Sequence, residues 1–309
     1  MWQFLNKLLR NYIIYGRIKL KRILNVKEMF AIKITDMKHI LILAIGIFSL
    51  MTGITSCHKD SILQNDFIDL SQEMGTQNDL LQPNESEIDD QIAAGLQELS
   101  TRGYPTRTWS APKGTFPNTL TIDYGPTGVS GPYGHVRKGK LIVSLTAPLS
   151  NVQSVRTVSH ENFYIDDVKV EGLVVLTNKG LNSLNQPFFE RVVSNRVLTF
   201  PSGKTIGWNA LQTITQTEGV STPLILLDNV YRLEGSATGF NRKGENFTVQ
   251  ITDPLIYKAD CPWIVKGMLT MSINSKQVTL NYGDGACNNA ATVTLPDGSV
   301  REINIRRWW

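Results

Sequence analysis

Histidine and the common hydrolase motifs are scarce in this chain of 309 residues, and their scarcity excludes several kinds of catalysis. Four histidines occur, and three of them follow residue 56, namely His58, His135 and His160. The segment from His160 to Tyr164 begins like the zinc-protease motif His-Glu-x-x-His, but Tyr164 stands where the second histidine ligand is required. No G-x-S-x-G nucleophile elbow occurs. The sequence therefore predicts a protein without enzymatic activity and without a cofactor.

The chain also lacks an apolar run of the roughly 20 residues that a membrane-spanning helix needs. Its longest run, from Ile40 to Thr55, has the length of the apolar region of a signal peptide. The run ends in Ile54-Thr55-Ser56-Cys57, which resembles the end of a bacterial lipoprotein signal peptide. The resemblance implies cleavage between Ser56 and Cys57, acylation of Cys57 with palmitate, and attachment of the new N-terminus to a membrane.

The residues before this signal peptide allow two interpretations. Met37-Lys38-His39 would form the basic start of a signal peptide at 37–56. Residues 1–36 would then be an extension upstream of the true start at Met37, or an unusually long basic region. Alternatively, Trp2 to Ile34 forms a basic amphipathic helix on the membrane surface, because it is rich in Lys, Arg, Leu and Ile.

The net charge of +4 does not describe the mature protein. Residues 1–56 contain nine Lys or Arg and two acidic residues, so 22 basic and 25 acidic residues remain from Cys57 onward, a net charge of −3. A nucleic-acid-binding protein would need a basic face on its folded part. We therefore expect no nucleic-acid partner.

Residues 57–114 are predicted to be an acidic tether. From His58 to Ser100 there are ten Asp or Glu and one Lys, a composition that cannot bury enough apolar surface to fold alone. One short helix is expected near 85–99, where apolar residues recur at spacings of three and four. The sequence His58-Lys59-Asp60 partly resembles a surface-export signal of Bacteroidota lipoproteins, which favours the outer membrane and leaves its periplasmic and cell-surface faces both open.

Residues 115–309 are predicted to form an all-β domain. Apolar residues alternate with polar ones almost throughout, as in Leu120, Ile122 and Tyr124, and the connections are short. About twelve strands in this length predict an antiparallel meander, forming a sandwich or a partly closed barrel. Glycines within predicted strands, at 172, 235 and 267, are expected to mark bulges where the sheet bends.

Two segments of similar sequence suggest two half-domains divided near residue 201. The segments Arg137–Pro148 and Arg242–Pro254 each read as a basic turn with glycine, then a strand, then a proline.

The cysteine count predicts a disulfide. Once Cys57 carries lipid, Cys261 and Cys287 remain as an even number in an exported chain, where disulfides persist. If a hairpin centres on Asn274, the two cysteines fall close to opposite positions of its strands. The alternative is two separate buried thiols.

The remaining candidates for a ligand site are weak. Oxygen-bearing side chains near the second cysteine could hold Ca²⁺, although ordinary turns have the same composition; they are Asn281, Asp284, Asn288 and Asn289. A pair of carboxylates could act as in glycosidases, drawn from Asp123, Glu161, Asp166, Asp167, Glu171 and Asp284. Exposed aromatic residues could stack on sugar rings, with Trp109, Trp208, Trp308 and Trp309 as the pool; packing in the core is the alternative for Trp208.

Two blocks of the β region, Cys-Pro-Trp-Ile-Val-x-Gly and Tyr-Gly-Asp-Gly-x-Cys-x-Asn, resemble β-rich lipoproteins of Bacteroidota. The resemblance covers most of residues 115–305 and departs near Asn118, where similar chains often carry another cysteine. It implies fold and location, and no established activity. We therefore expect a membrane-anchored envelope lipoprotein with a binding or structural β-domain, whose partner is a glycan or an envelope protein. The alternative is a glycan-acting hydrolase or a carbohydrate-binding component of a glycan-uptake system.

Overall fold

The fold is seen in a computed structural model, which describes residues 67–75, 81, 88–89, 91–92, 105–131, 134–222 and 225–305. Cys57, the whole predicted signal region and Trp308-Trp309 lie outside these residues. The strands are β1 (Thr106–Trp109), β2 (Asn118–Asp123), β3 (Val129–Ser130), β4 (Val136–Leu145), β5 (Val155–Ile165), β6 (Val168–Leu181), β7 (Pro187–Thr199), β8 (Thr205–Glu218), β9 (Val230–Phe240), β10 (Asn246–Lys258), β11 (Ile264–Ile273), β12 (Lys276–Asp284), β13 (Ala290–Thr294) and β14 (Val300–Asn304). A helix, α1, spans residues 67–75, and a 3-10 turn spans Leu226–Asp228.

The strands form one antiparallel sheet in which nearly every strand pairs with its neighbours in sequence. The exception is β3, which pairs with β4 beside the main path. β1 and β14 are the two edges, so the sheet is not closed. The predicted all-β antiparallel meander is therefore confirmed. Among the described residues, no helix is long and apolar enough to cross a bilayer.

Alternation along each strand builds the core. In β2, the even-numbered residues are buried and the odd-numbered ones are partly exposed, because successive side chains point to opposite faces of the sheet. The buried side chains of all the long strands join in one cluster, which includes Leu120, Leu141, Phe163 and Met271. One face of the sheet is thus the core and the other faces solvent.

Helix α1 lies within the segment that the composition assigned to a tether. Phe67, Leu70 and Met74 follow one another at spacings of three and four, and all three are buried in the sheet's core cluster. Leu70 is only 1% exposed. The four described residues of the predicted helix near 85–99 are helical, and Ile88 among them is fully buried. Part of the acidic segment therefore folds with the sheet.

The glycines predicted to mark bulges do so. The strand register shifts between Glu171 and Leu173, between Lys266 and Met268, and beside Gly235. Gly267 has a φ of +109°, and a Cβ there would overlap with the carbonyl oxygen of Pro254. At such a position, only glycine satisfies both the backbone angle and the close approach.

The predicted disulfide is present between Cys261 and Cys287, with the two Cα atoms 5.9 Å apart. Between them lies the hairpin of β11 and β12, whose turn residues Asn274 and Ser275 both have positive φ angles, the requirement of a two-residue hairpin turn. The register pairs Ile273 with Lys276, within one residue of the predicted one.

Residue 201 lies in the turn between β7 and β8, two strands that pair directly, so a single sheet continues across it. The two segments of similar sequence also begin at different places in the sheet. Arg137 lies inside β4, whereas Arg242 lies in the turn before β10.

Candidate functional site

A groove of about 440 Å³ lies over β2, β4 and β5. We call it the groove. Charged, aromatic and glycine residues share its lining, which consists of Asp123, Gly125, Pro126, Lys138, Gly139, Lys140, Glu161, Asn162 and Tyr164. It opens to solvent, and its volume lies in the range of ligand pockets in proteins, about 300 to 1,000 Å³.

A bulge in β4 shapes the groove. The pairing of β4 with β5 is shifted between Lys138 and Lys140, and Gly139 between them has a φ of +81°. A Cβ on Gly139 would overlap with the backbone carbonyl of Asn162, itself at a positive φ of 44°. Because the two backbones approach so closely, the bulge redirects the neighbouring side chains, as bulges beside functional sites commonly do.

Three charged side chains form a row across three strands. Asp123 of β2 and Glu161 of β5 both pair in register with Lys140 of β4, which lies between them. Lys140 Nζ lies 3.2 Å from Glu161 Oε1. Asp123 Oδ1 accepts a hydrogen bond of 2.8 Å from the backbone N–H of Gly125.

The separation of the two carboxylates follows from the register. Neighbouring strands lie about 4.8 Å apart, so the backbones of Asp123 and Glu161 are about 10 Å apart. Inverting glycosidases place their carboxyl groups about 6.5 to 9.5 Å apart, and they keep the acid in a protected apolar setting. Here Lys140 stands between the two, and the Glu161 side chain is 57% exposed. The row resembles a polar binding surface more than an acid and base pair.

A second charged pair lies at one end of the groove. Lys138 Nζ lies 2.5 Å from Asp167 Oδ1 and 5.5 Å from the centre of the Tyr164 ring. This arrangement combines an ion pair with a cation–π contact. The lining of the groove therefore contains two lysines, two carboxylates and an aromatic ring, whose formal charges cancel, and Asp167 at its end adds one further negative charge.

His160 and Glu161, adjacent in sequence, point to opposite faces of β5. His160 lies on the core side, where its Nδ1–H donates to the carbonyl of Gly172 (2.9 Å) and its Nε2 accepts from the Arg196 guanidinium (3.1 Å). Burial first, and the positive charge of Arg196 second, lower the pKa of His160 to about 3, against the opposing effect of the Gly172 carbonyl. His160 is therefore neutral at physiological pH and lies half-buried on the core side of the sheet.

His135 makes a contact that the sequence did not predict. Its Nδ1 lies 2.6 Å from Asp166 Oδ2, and the other carboxylate oxygen accepts a hydrogen bond from the backbone N–H of Val136 at 2.8 Å. The His135 side chain is 2% exposed and that of Asp166 is 11% exposed. The pair fastens the start of β4 to the turn between β5 and β6.

Two of the four calcium candidates, Asn281 and Asn288, accept hydrogen bonds within their own turns. Asn281 Oδ1 accepts from the Gly283 N–H, and Asn288 Oδ1 accepts from the Ala290 N–H, both at 2.8 Å. Asn289 donates to the carbonyl of Ile305 at 3.2 Å. Within the described part of the chain, no three His, Cys, Asp or Glu side chains lie close enough together to hold a metal ion.

Arginines line part of the core side of the sheet, and the N-terminal segment supplies partners for them. Arg156 pairs with Asp89, and Arg242 pairs with Glu73 of α1. Burial raises the pKa of Glu73, although the Arg242 guanidinium opposes the rise. Two smaller cavities, of about 80 and 140 Å³, remain on this side, and both touch Arg191. The acidic residues of the segment thus serve as counter-charges to the sheet.

Trp109 and Trp208, the two predicted stacking residues in the described part of the chain, do not line the groove. Trp208 is 9% exposed in the core, and Trp109 packs partly against the same core. Sequence reasoning identified Asp123 and Glu161 among its carboxylates and did not identify Lys138, Lys140 or Tyr164. The Lys-Gly-Lys sequence at 138–140 was the available signal for these lysines, but it predicts a turn, whereas the structure has a bulged strand there.

The fold and the groove together describe a single-sheet, antiparallel β-domain with a polar surface site. Comparison with protein-family models, with curated proteins and with solved structures found no match.

Proposed function

We propose that this chain is a non-enzymatic binding domain of the bacterial cell envelope, anchored to the outer membrane by a lipid on Cys57, and that it binds an uncharged glycan in the groove. The observation that carries the proposal is the groove's lining. Lys138 pairs with Asp167 and Lys140 pairs with Glu161, and both of these carboxylates are largely exposed, an arrangement suited to hydrogen bonding and unsuited to proton transfer.

The balance of charges in the groove favours a glycan over an ion. Asp123 and Glu161 accept hydrogen bonds, Lys138 and Lys140 donate them, and Asn162 does both. A polyhydroxylated ligand offers donors and acceptors in alternation and satisfies both kinds of group. An anionic ligand would meet the two carboxylates, and a cationic one the two lysines.

A glycan-acting hydrolase is the second candidate, because Asp123 and Glu161 flank the same groove. In that mechanism one of the two carboxyls would protonate the leaving oxygen, and the other would activate water. Such an acid works best in a water-poor setting, whereas Glu161 is largely exposed and holds Lys140. The geometry therefore supports binding better than hydrolysis.

The binding proposal is tested by titrating the protein with neutral and anionic soluble glycans in a calorimeter. Glu161→Gln and Tyr164→Ala should weaken binding of the neutral glycan. Glu171→Gln is the matched control, since Glu171 is a similarly exposed residue, paired with Lys169, that does not line the groove. Equal affinity in all variants, or no binding by the wild type, contradicts the proposal, and release of shorter products would indicate the hydrolase.

The lipid anchor is tested separately. The full-length protein and its Cys57→Ala variant are expressed with radiolabelled palmitate in a bacterium that lipidates envelope proteins. Only the unaltered protein should take up label. Equal labelling of the variant would contradict the predicted acylation site.

A further inference from the structure

Three loops at one edge of the sheet carry a cluster of exposed apolar side chains. The loops are 146–154 between β4 and β5, 182–186 between β6 and β7, and 219–229 between β8 and β9. We call them the apolar edge, together with Leu181, which ends β6. Their exposed large apolar residues are Val152, Leu181, Leu184, Val220, Ile225 and Leu227, of which Leu184 is 74% and Leu227 68% exposed.

The topology brings these loops together. In an antiparallel meander, alternate connections lie at the same edge, so the three loops are neighbours although they are distant in sequence. Loop 146–154 packs onto the end of β6, where Asn178 Nδ2 donates to the Leu149 carbonyl at 2.8 Å. A Cβ on Gly180 would lie 3.5 Å from Val152, which places Val152 close to Leu181.

Charge is nearly absent from the apolar edge. The 25 residues of the three loops contain one charged side chain, Asp228, which accepts a hydrogen bond from Thr222 at 2.6 Å. The turns at the other ends of the same strands, 166–167, 200–204 and 241–245, contain six charged side chains in 12 residues. The segment from Val220 to Leu227 reads Val-Ser-Thr-Pro-Leu-Ile-Leu-Leu, and three of its apolar residues, Val220, Ile225 and Leu227, are exposed.

We propose that the apolar edge docks on a lipid bilayer and inserts its side chains into the interface. Charged side chains are costly at that depth, and amphipathic protein surfaces bury their apolar side chains about 5 to 10 Å into the boundary between headgroups and acyl chains. The rim of a protein–protein interface is polar and commonly carries charges, whereas the polar residues of these loops, apart from Asp228, are uncharged Ser, Thr, Asn and Gln.

The bilayer is favoured as the occupant because of the length of chain before the fold, an argument that rests on the proposed anchor at Cys57. Nine residues, 58–66, separate Cys57 from the start of α1. Even fully extended, ten peptide units span no more than about 35 Å. An acylated protein of this size would hold its folded part next to the membrane, where an apolar edge meets lipid continually.

Nitroxide labels measure the depth of this edge in the anchored protein. The protein is expressed at full length in a lipidating bacterium, purified from its membranes and reconstituted into vesicles of neutral phospholipid. Leu184→Cys and Leu227→Cys place labels in the apolar edge, and Lys204→Cys places one at the opposite edge. Labels at 184 and 227 should collide more with dissolved oxygen than with a water-soluble nickel complex, and the label at 204 should show the reverse.

Each other outcome overturns the proposal in a distinguishable way. If the protein stays on the vesicles while all three labels are equally accessible to nickel, docking fails and the anchor stands. Dipolar broadening between labels at 184 or 227 that persists in detergent would identify a second copy of the chain as the occupant. Loss of the protein from the vesicles would overturn the anchor and, with it, this inference.

Discussion

The neutral state of the half-buried His160 should make the fold sensitive to acid. Its pKa is lowered from 6.5 to about 3, mainly by burial and secondly by Arg196. Because the folded pKa lies below that of the unfolded chain, the unfolded state binds the proton first. The stability contributed by neutral His160 is therefore present above pH 6.5 and is lost as the pH falls toward 3.

The size of the effect follows from the coupling between proton binding and folding. At pH 4 the imidazole of the unfolded chain is almost fully protonated, whereas the folded one, with a pKa of about 3, is mostly neutral. The corresponding loss in the free energy of unfolding between pH 7 and pH 4 is roughly 3 kcal/mol. That is a large fraction of the 5 to 15 kcal/mol typical of folded proteins.

His160→Gln isolates this contribution. Glutamine does not titrate, yet it can donate to the Gly172 carbonyl and accept from Arg196 as the imidazole does. Urea unfolding of both proteins at pH 7 and pH 4 gives the two losses in free energy. The wild type should lose roughly 3 kcal/mol more than the variant. An equal loss in both would show that His160 is not held neutral, and would refute the reasoning.

Three further predictions concern the fold. Replacing Cys261 and Cys287 by alanine removes a disulfide between residues 26 apart in sequence, and should lower the free energy of unfolding by about 3 to 4 kcal/mol. Urea unfolding measures this loss, and an unchanged midpoint would contradict the prediction. Leu70→Ala should cost about 2 to 5 kcal/mol because Leu70 is buried, whereas the exposed neighbour change Asp69→Ala should cost little; similar small losses would show that α1 does not pack in the core. Gly267→Ala should destabilise by more than about 1 kcal/mol, through its positive φ and a clash with a neighbouring carbonyl, and full stability in thermal unfolding would refute that.

The strands were predictable because the alternation of apolar and polar residues within each strand is enough to indicate it. The alternation of Leu120, Ile122 and Tyr124 specifies a half-buried strand without knowledge of its partner. Short connections then leave an antiparallel meander as the simplest topology. The disulfide was predictable for a similar reason, since one hairpin turn at Asn274 sets the positions of both cysteines.

Helix α1 could not be predicted in the same way. The average composition of the acidic segment concealed three apolar residues, Phe67, Leu70 and Met74, at helical spacing. Its stability also depends on distant groups, because Glu73 pairs with Arg242, 169 residues away. A segment that cannot fold alone can fold against a sheet that supplies both an apolar face and counter-charges.

The groove could not be predicted without knowing the register in which the strands pair. Asp123, Lys140 and Glu161 come from three strands, and the pairing that aligns them is set by the bulge at Gly139. A shift of one residue would turn each side chain to the opposite face of the sheet. Sequence alone could name the carboxylates, but it could not select the two that share a site.

The groove and the apolar edge lie at opposite ends of the same strands, so the two proposals are geometrically compatible. Along β4 and β5, the groove lies beside the 166–167 turn, where Lys138 pairs with Tyr164. The loop 146–154 lies at the other end of the same two strands, about 20 Å away from Lys140 at the rise of an extended chain. If the apolar edge rests on the bilayer, the groove points away from it into the aqueous phase, where a glycan has access.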